Sequence, residues 1–590
     1  MFGGAPGPMK FRFYLILFCF LLSPLPCAAD SLHLNIRGVD DELLKILETA
    51  LILPASLTSG DELNKRWLRR YQRQLPERVS TILEPYGYFD SQISSQVKNI
   101  EPGKYQLDIE IGLAEPLRVT SLELNLTGPG SDLPELQQLL AEFPLHIGDI
   151  LRQDLYEQGK TALRQGAINQ GYLDADFPQH QILVNRGKRQ VDINLQLDSG
   201  ARFRFGKTSF SGRGSYPEYF LRRYLSYKEG EYFSHRQLGQ TQLNLLNADL
   251  FRNVSVHPLT RQDNEILVPV QVDLEPMPRH QLRPGIGYGT DTGARISLNY
   301  RNLNLLQRGH ELQGKLLLAE KKQSIVSTYI IPDPNRLDSQ ILLQVGFDRE
   351  DTDSYLSREL FSEGEYQRSF HKSLTGSLFV RLSQEHSQIS GESNRSQMLL
   401  SGLRIGWKQV DDPLNPRRGI QTNLELQGSH DALLSDTSLL QLSGQATVLQ
   451  PLPHELSLLL RLRGGTTWHN DLFNELPASL RFFAGGDRSV RGYGYQSLGP
   501  KDDQGDVIGG KHLLVANVEL EKRLNPNWGV AIFYDIGNAF DTLSTYELEQ
   551  GAGVGVSRYT RIGPVRLDLA RQIGNVKNKY RLHLSVGFGW

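Results

Sequence analysis

The final segment of the chain alternates without a break. Tyr580, Leu582, Leu584, Val586, Phe588 and Trp590 fall on one face of an extended strand, and Arg581, His583, Ser585, Gly587 and Gly589 fall on the other. A strand with every second residue large and apolar must bury that face against something apolar. The pattern recurs upstream. Val530, Ile532, Tyr534 and Ile536 oppose Gly529, Ala531, Phe533 and Asp535, and Leu456, Leu458, Leu460 and Leu462 oppose Ser457, Arg461 and Arg463. Such segments, about ten residues each, run from about residue 281 to Trp590 between turn-rich stretches. They count to sixteen predicted strands, eleven before residue 470 and five after residue 510. The glycine-rich stretch between, roughly 472–510, is too long for a hairpin loop.

What the apolar faces meet is decided by the N-terminus. Lys10 and Arg12 precede an apolar run from Phe13 to Leu22. Pro24 and Pro26 break that run, and Cys27, Ala28 and Ala29 lead to a cut near Asp30. This is the layout of an export signal over residues 1–29. No later apolar run reaches the about 18 residues of a spanning helix. An exported chain that crosses a membrane without such a helix does so as a closed barrel, because only closure satisfies every backbone group in lipid. Outward apolar and inward polar faces fit lipid outside and water inside, so residues 277–590 are expected to form a 16-stranded antiparallel transmembrane β-barrel.

Composition closes off other classes. The 64 Lys+Arg against 66 Asp+Glu give no electrostatic reason to propose a nucleic acid partner. Both cysteines, Cys19 and Cys27, lie in the signal, so the mature chain forms no disulfide, offers no thiol nucleophile and ligates no metal through sulfur. Gly200 to Thr208 resembles a phosphate loop, but five residues separate its glycines instead of four. There is no Gly-x-Ser-x-Gly elbow and no His-Glu-x-x-His. Neither an enzyme nor a cofactor or metal is expected.

Residues 31–275 carry one order of elements three times: strand, helix, helix, strand, strand. In the first copy a strand at 32–36 precedes helical patterns near 40–50 and 62–84, then Tyr86-Gly87-Tyr88-Phe89, then strands near 91–98 and 104–111. The second has a strand at 118–126, helices near 132–140 and 152–169, Gln170-Gly171-Tyr172-Leu173, and strands near 175–185 and 189–197. The third has a strand at 203–210, helices near 217–226 and 235–247, Ala248-Asp249-Leu250-Phe251 in the glycine-aromatic position, and strands near 253–259 and 265–274. Each glycine ends a helix and each following aromatic enters a core. The expected domains are 30–113, 114–200, 201–276 and the barrel 277–590. Each small sheet keeps edges that could pair with an extended peptide or be merely blunted.

Within the long stretch lies Gly485-Gly486-Asp487-Arg488-Ser489-Val490-Arg491-Gly492-Tyr493. Downstream, parity points Glu519 and Asp535 inward. A charge in a narrow lumen needs a partner, and a loop tip folded into the barrel would bring Arg491 to both carboxylates. On spacing alone, a solvated loop arginine is the plainer reading. At the other end of the barrel, Gly285, Gly287 and Gly289 lie in the first strand, 282–289, and Gly587 and Gly589 in the last. Closure pairs these strands, and the glycines either weaken a seam or relieve crowding there.

Val490-Arg491-Gly492-Tyr493 resembles the lid-loop signature of the outer-membrane assembly-factor superfamily, which includes BamA-like and TamA-like proteins and the two-partner secretion transporters. Phe533-x-Asp535-x-Gly537 resembles its next motif. Gly553-Val554-Gly555 with Gly563-Pro564-Val565-Arg566-Leu567-Asp568 resembles the penultimate-strand motif, and Asp412-Pro413-Leu414-Asn415-Pro416-Arg417-Arg418-Gly419 a further element. The three β-α-α-β-β units resemble polypeptide-transport-associated (POTRA) repeats. Three repeats before sixteen strands is most similar to the TamA-like members, the outer-membrane subunit of a translocation and assembly module. The resemblance implies an outer-membrane location with periplasmic repeats. It implies a lid of Val490, Arg491, Gly492 and Tyr493 held by Glu519 and Asp535, and a lateral gate at the glycine seam. It also implies insertion of outer-membrane proteins such as autotransporters. The implied partners are outer-membrane lipid, unfolded outer-membrane protein substrates and an inner-membrane-anchored TamB-type protein. A two-partner-type transporter for one exoprotein is the alternative.

Overall fold

The structure is a computed structural model and describes residues 31–53, 64–101, 104–260, 265–412, 416–469, 475–544, 546–560, 563–574 and 579–586. The expected signal, 1–29, and the glycines Gly587 and Gly589 lie outside the described residues. Two compact units divide the chain. One holds the first two repeats and part of the third, and the other holds the rest of the third repeat with the barrel.

The repeats have the expected order of elements. In the first, strand Ser31–Arg37 leads to helices Asp41–Ala50 and Lys65–Leu83, then strands Gln92–Glu101 and Lys104–Gly112. Its first strand runs parallel to its third, and the second runs antiparallel to the third, so the last strand is central. The second and third repeats have the same strand order. Alternation along the central strands explains the cores: Leu107, Ile109 and Ile111 are buried under Leu47, Leu75, Val79 and Leu83 of the two helices. Val191, Ile193, Leu195 and Leu197 play that part in the second repeat, under Leu136 and Leu163.

The glycine-aromatic turns also join one repeat to the next. Gly87 and Gly171 take left-handed φ of 88° and 93°, which a glycine adopts at little cost. The Tyr88 N–H reaches back to the Leu83 carbonyl and the Tyr172 N–H to the Ala167 carbonyl, closing each helix as a Schellman motif. In the third repeat Asp249 takes that conformation, φ 56°, as a short polar side chain can. The turn then offers a carbonyl to the following segment. Gly87 accepts from the Leu117 N–H at 2.9 Å and Gly171 from that of Phe203 at 2.8 Å. Leu250 does the same for Met277 at 2.9 Å, where the chain enters the barrel.

One helix is shorter than the sequence suggests. The first helix of the third repeat spans only Glu218–Arg222, because Tyr224 and Leu225 bond three residues back, to Leu221 and Arg222, and tighten the chain into turns. In the same unit the Phe220 ring lies against Gly309 of a barrel turn, where a Cβ would come within 2.3 Å of it.

The barrel closes in sequence order from His280–Gly289 to Tyr580–Val586, sixteen strands in all. Val530, Ile532 and Tyr534 are exposed outward while Ala531, Phe533 and Asp535 are buried inward. The chain between Leu456–His469 and His512–Asn525 turns into the lumen. Ala484, Val490, Tyr493 and Leu498 of this loop pack on Leu513, Val515 and Ala539 of the wall, so the lumen has a small apolar core of its own.

Candidate functional site

Arg491 is 4% exposed at the tip of the inward loop. Its backbone N–H and Nε both donate to Asp535 Oδ2, at 3.0 and 2.7 Å, and Nη2 donates to Oδ1 at 2.9 Å. Its Nη1 donates to Glu519 Oε2 at 2.9 Å and to Asp568 Oδ2 at 3.1 Å. Arg566 completes the group, donating to both Glu519 oxygens at 2.6 and 2.7 Å and through Nε to Asp568 at 2.9 Å. Every oxygen of the three carboxylates therefore accepts a hydrogen bond, the condition under which buried charges are tolerable. The guanidinium carbon of Arg491 also sits 3.4 Å from the centre of the Phe533 ring, a cation–π contact.

The loop is held at both flanks. Gly492 N–H donates to His583 Nε2 at 3.1 Å, and Gln572 Nε2 donates to the Gly492 carbonyl at 2.9 Å. Tyr493 donates its hydroxyl to Glu549 at 2.5 Å, and Asn517 donates to the Ser489 carbonyl at 2.5 Å. Val490 and Tyr493 are buried in the lumen core, and Gly492 has φ 99°. Farther along the loop, Ser354 donates to the Gln496 carbonyl at 2.8 Å and Tyr495 to Glu350 at 2.8 Å, tying the loop to the opposite wall.

Strand Glu549–Thr560 lies between the strands that carry Asp535 and Asp568, and three successive inward positions, 551, 553 and 555, are glycines because the space is taken. A Cβ on Gly551 would lie 2.0 Å from the Arg491 carbonyl oxygen. One on Gly553 would lie 2.5 Å from the Phe533 ring, and one on Gly555 2.2 Å from Asp568. The three glycines form a groove across which Arg491 spans from Asp535 to Asp568. We expect Gly551→Ala to expel the loop without changing any charge. Protease cleavage of the loop in folded, membrane-inserted protein should rise at least about tenfold, as for a loss of roughly 1.4 kcal/mol. Cleavage at the wild-type rate would show that the groove does not hold the loop.

The seam is the other expected site. The first strand pairs with its sequence neighbour at ten positions, from His280↔Asn302 to Gly289↔Gly293. Against the last strand, the ladder among the described residues is the single pair Gly289↔Ser585. It is supplemented by the Thr290 N–H donating to the Leu584 carbonyl at 3.0 Å, the Leu584 N–H to Thr290 Oγ1 at 2.7 Å, and Arg295 to the Val586 carbonyl at 2.9 Å. At roughly 1 kcal/mol net per hydrogen bond, the bonds at this end of the seam contribute a few kcal/mol. Gly285, Gly287 and Gly289 all lie on this first strand, His280–Gly289.

Sequence reasoning brought Arg491, Glu519 and Asp535 together, and missed Asp568 and Arg566. The parity that points Glu519 inward also points these two inward, two strands away from Asp535. It missed Asp291 and His583, both buried beside the loop. It also passed over Pro284 in the first strand; a proline cannot donate to a ladder and marks an edge strand.

Residues 304–590 match the Omp85 superfamily domain, and residues 33–113 match the model of TamA POTRA domain 1. The barrel half of the chain is an Omp85 superfamily domain. Among curated relatives, it is 21% identical over 530 residues to the outer membrane protein assembly factor BamA of Nitratidesulfovibrio vulgaris, covering 84% of this chain and 64% of that one. It is 25% identical over 212 residues to BamA of Neisseria meningitidis serogroup B, 33% of this chain and 26% of that one. The chain thus spans just under two thirds of the first relative and about a quarter of the second. The solved structure of BamA from Haemophilus ducreyi lacking POTRA domains 1–3 superposes with a TM-score of 0.68 at 17% identity, over 80% of this chain and 99% of that one, and shows the shared fold. As an Omp85 barrel preceded by POTRA repeats, the chain resides in the outer membrane with its repeats in the periplasm. The barrel is entered at His280 from the periplasm. The inward loop, which follows the eleventh strand, therefore descends into the lumen from the cell exterior.

Proposed function

We propose that this Omp85 protein inserts or translocates outer-membrane proteins such as autotransporters as the outer-membrane subunit of a translocation and assembly module. In this reading 30–113, 114–200 and 201–276 are three periplasmic POTRA domains and 277–590 is the inserting barrel. The observation that carries it is the barrel's closure on a first strand that holds Pro284, which cannot donate to a ladder, with Gly285, Gly287 and Gly289, and meets the last strand at Gly289↔Ser585 among the described residues. An incoming strand can pair with such an edge and pass sideways into lipid. Val490, Arg491, Gly492 and Tyr493, held by Glu519 and Asp535, act as the lid, and Gly285, Gly287, Gly289, Gly587 and Gly589 line the gate. The match of the first repeat to the TamA POTRA domain 1 supports the module assignment, and with it an inner-membrane-anchored TamB-type partner for the periplasmic repeats. The work done is pairing and packing, with no chemical step.

Reconstitution in lipid vesicles tests the reading. Unfolded autotransporter barrel added to vesicles holding the protein should become heat-modifiable and protease-resistant at least about tenfold faster than with empty vesicles, a barrier lowered by roughly 1.4 kcal/mol. Equal rates would overturn it. Delivery of one soluble exoprotein to the far side, with no inserted barrel, would favour the two-partner-type transporter instead.

A further inference from the structure

Two buried polar groups face each other across the seam, and the inward loop holds both. Asp291, 4% exposed, lies in the turn after the first strand, and His583, 2% exposed, on the last strand. Continuing the Gly289↔Ser585 register by two residues on each strand sets them opposite one another. Asp291 Oδ2 accepts the Asp487 backbone N–H at 2.6 Å, and His583 Nε2 accepts the Gly492 N–H at 3.1 Å. An Nε2 that accepts carries no hydrogen, so a neutral ring has its proton on Nδ1. That Nδ1 faces Asp291 Oδ1 at 3.9 Å, too long for a hydrogen bond, and both atoms are buried without another partner. Gly486 lets the loop approach this closely: it has φ 111°, and a Cβ there would lie 2.5 Å from Asp291 Oδ2.

We infer that Asp291 and His583 are positioning residues through which the loop staples the seam, so that loop withdrawal and seam opening are one coupled equilibrium. The loop backbone runs from the Asp487 N–H on the first-strand side to the Gly492 N–H on the last-strand side, with Arg491 anchored between them. Withdrawing the loop strips a donor from each side of the seam, and the water that enters satisfies each acceptor separately and no longer ties one strand to the other. Parting the strands carries His583 away from Gly492 and frees the loop. Coupling of this kind is reciprocal: the loop stabilises the closed seam by as much as the closed seam holds the loop. The inference rests on reading the seam as a gate, and it names what keeps that gate shut.

Residues 30–590 contain no cysteine, so reporter thiols placed there are unambiguous once the expected signal, 1–29, is removed. Gly289→Cys with Ser585→Cys reports the seam as the rate of disulfide formation in membranes under a mild oxidant. A cysteine at 289 has room, since its Cβ would meet only Thr292 Oγ1, at 3.5 Å. In a second protein, Val490→Cys reports the loop as the rate of maleimide labelling. His583→Ala should slow the cross-link and speed the labelling, each about tenfold, the scale of one lost buried hydrogen bond. His583→Gln, whose amide oxygen can accept from Gly492, should restore both. Arg491→Ala makes no direct change at the seam and should nevertheless slow the cross-link. The inference is overturned if Arg491→Ala exposes the 490 thiol while the cross-link forms at the wild-type rate. It is equally overturned if His583→Ala slows the cross-link while the 490 thiol stays protected. Only barrels with heat-modifiable gel mobility are scored, and insertion activity is not read, so a failed staple leaves the insertion reading standing.

Discussion

Arg491→Ala is expected to abolish insertion while export and barrel assembly survive. The substitution leaves Asp535, 0% exposed, without the guanidinium that forks onto it, while Glu519 keeps both hydrogen bonds from Arg566, which also reaches Asp568. Removing one partner of a buried ion pair costs about 3–5 kcal/mol. The barrel avoids that cost by letting the loop leave and water enter, so the loss falls on the loop. The strand ladders, sixteen strands hydrogen-bonded edge to edge, do not depend on it. The expected signature is normal heat-modifiable mobility, a loop cut readily by protease, and insertion at background. Arg491→Lys should recover only part, because an ammonium cannot fork onto both Asp535 oxygens while reaching Glu519 and Asp568. Adding Asp535→Ala to Arg491→Ala should recover some loop protection, since one unpaired buried charge is gone; the non-additivity of that cycle measures the pair. Wild-type insertion by Arg491→Ala would remove the loop from the mechanism.

The barrel was legible because lipid and water impose a period of two on every strand, and Tyr580 to Val586 or Gly529 to Asp535 can be read one residue at a time. The repeats were legible for a similar reason: a three-stranded sheet under two helices needs alternation, then a 3.6 period, then a glycine-aromatic turn. The site was only half legible. Parity says that Glu519, Asp535, Arg566 and Asp568 all point inward, but not which of them a loop arginine will reach. That depends on the empty inward faces of Gly551, Gly553 and Gly555 on the strand between them. Asp291 and His583 are far apart in sequence and adjacent only because closure brings the first and last strands together. No local pattern marks such a pair. Pro284 was the one local sign that this strand is an edge, and it carries that meaning only once the strand is known to close a barrel.

The central claim is that the seam between the first and last strands opens during insertion. The direct measurement uses protein carrying Gly289→Cys and Ser585→Cys, the positions of the single described ladder pair across that seam. Oxidised and reduced forms are reconstituted in vesicles, and insertion of an unfolded autotransporter barrel is followed in each. Insertion should fall to the empty-vesicle rate when the disulfide is formed and return when reductant is added to the same vesicles. Insertion by the oxidised form at the reduced rate would contradict the account, because a sealed barrel would then be doing the work.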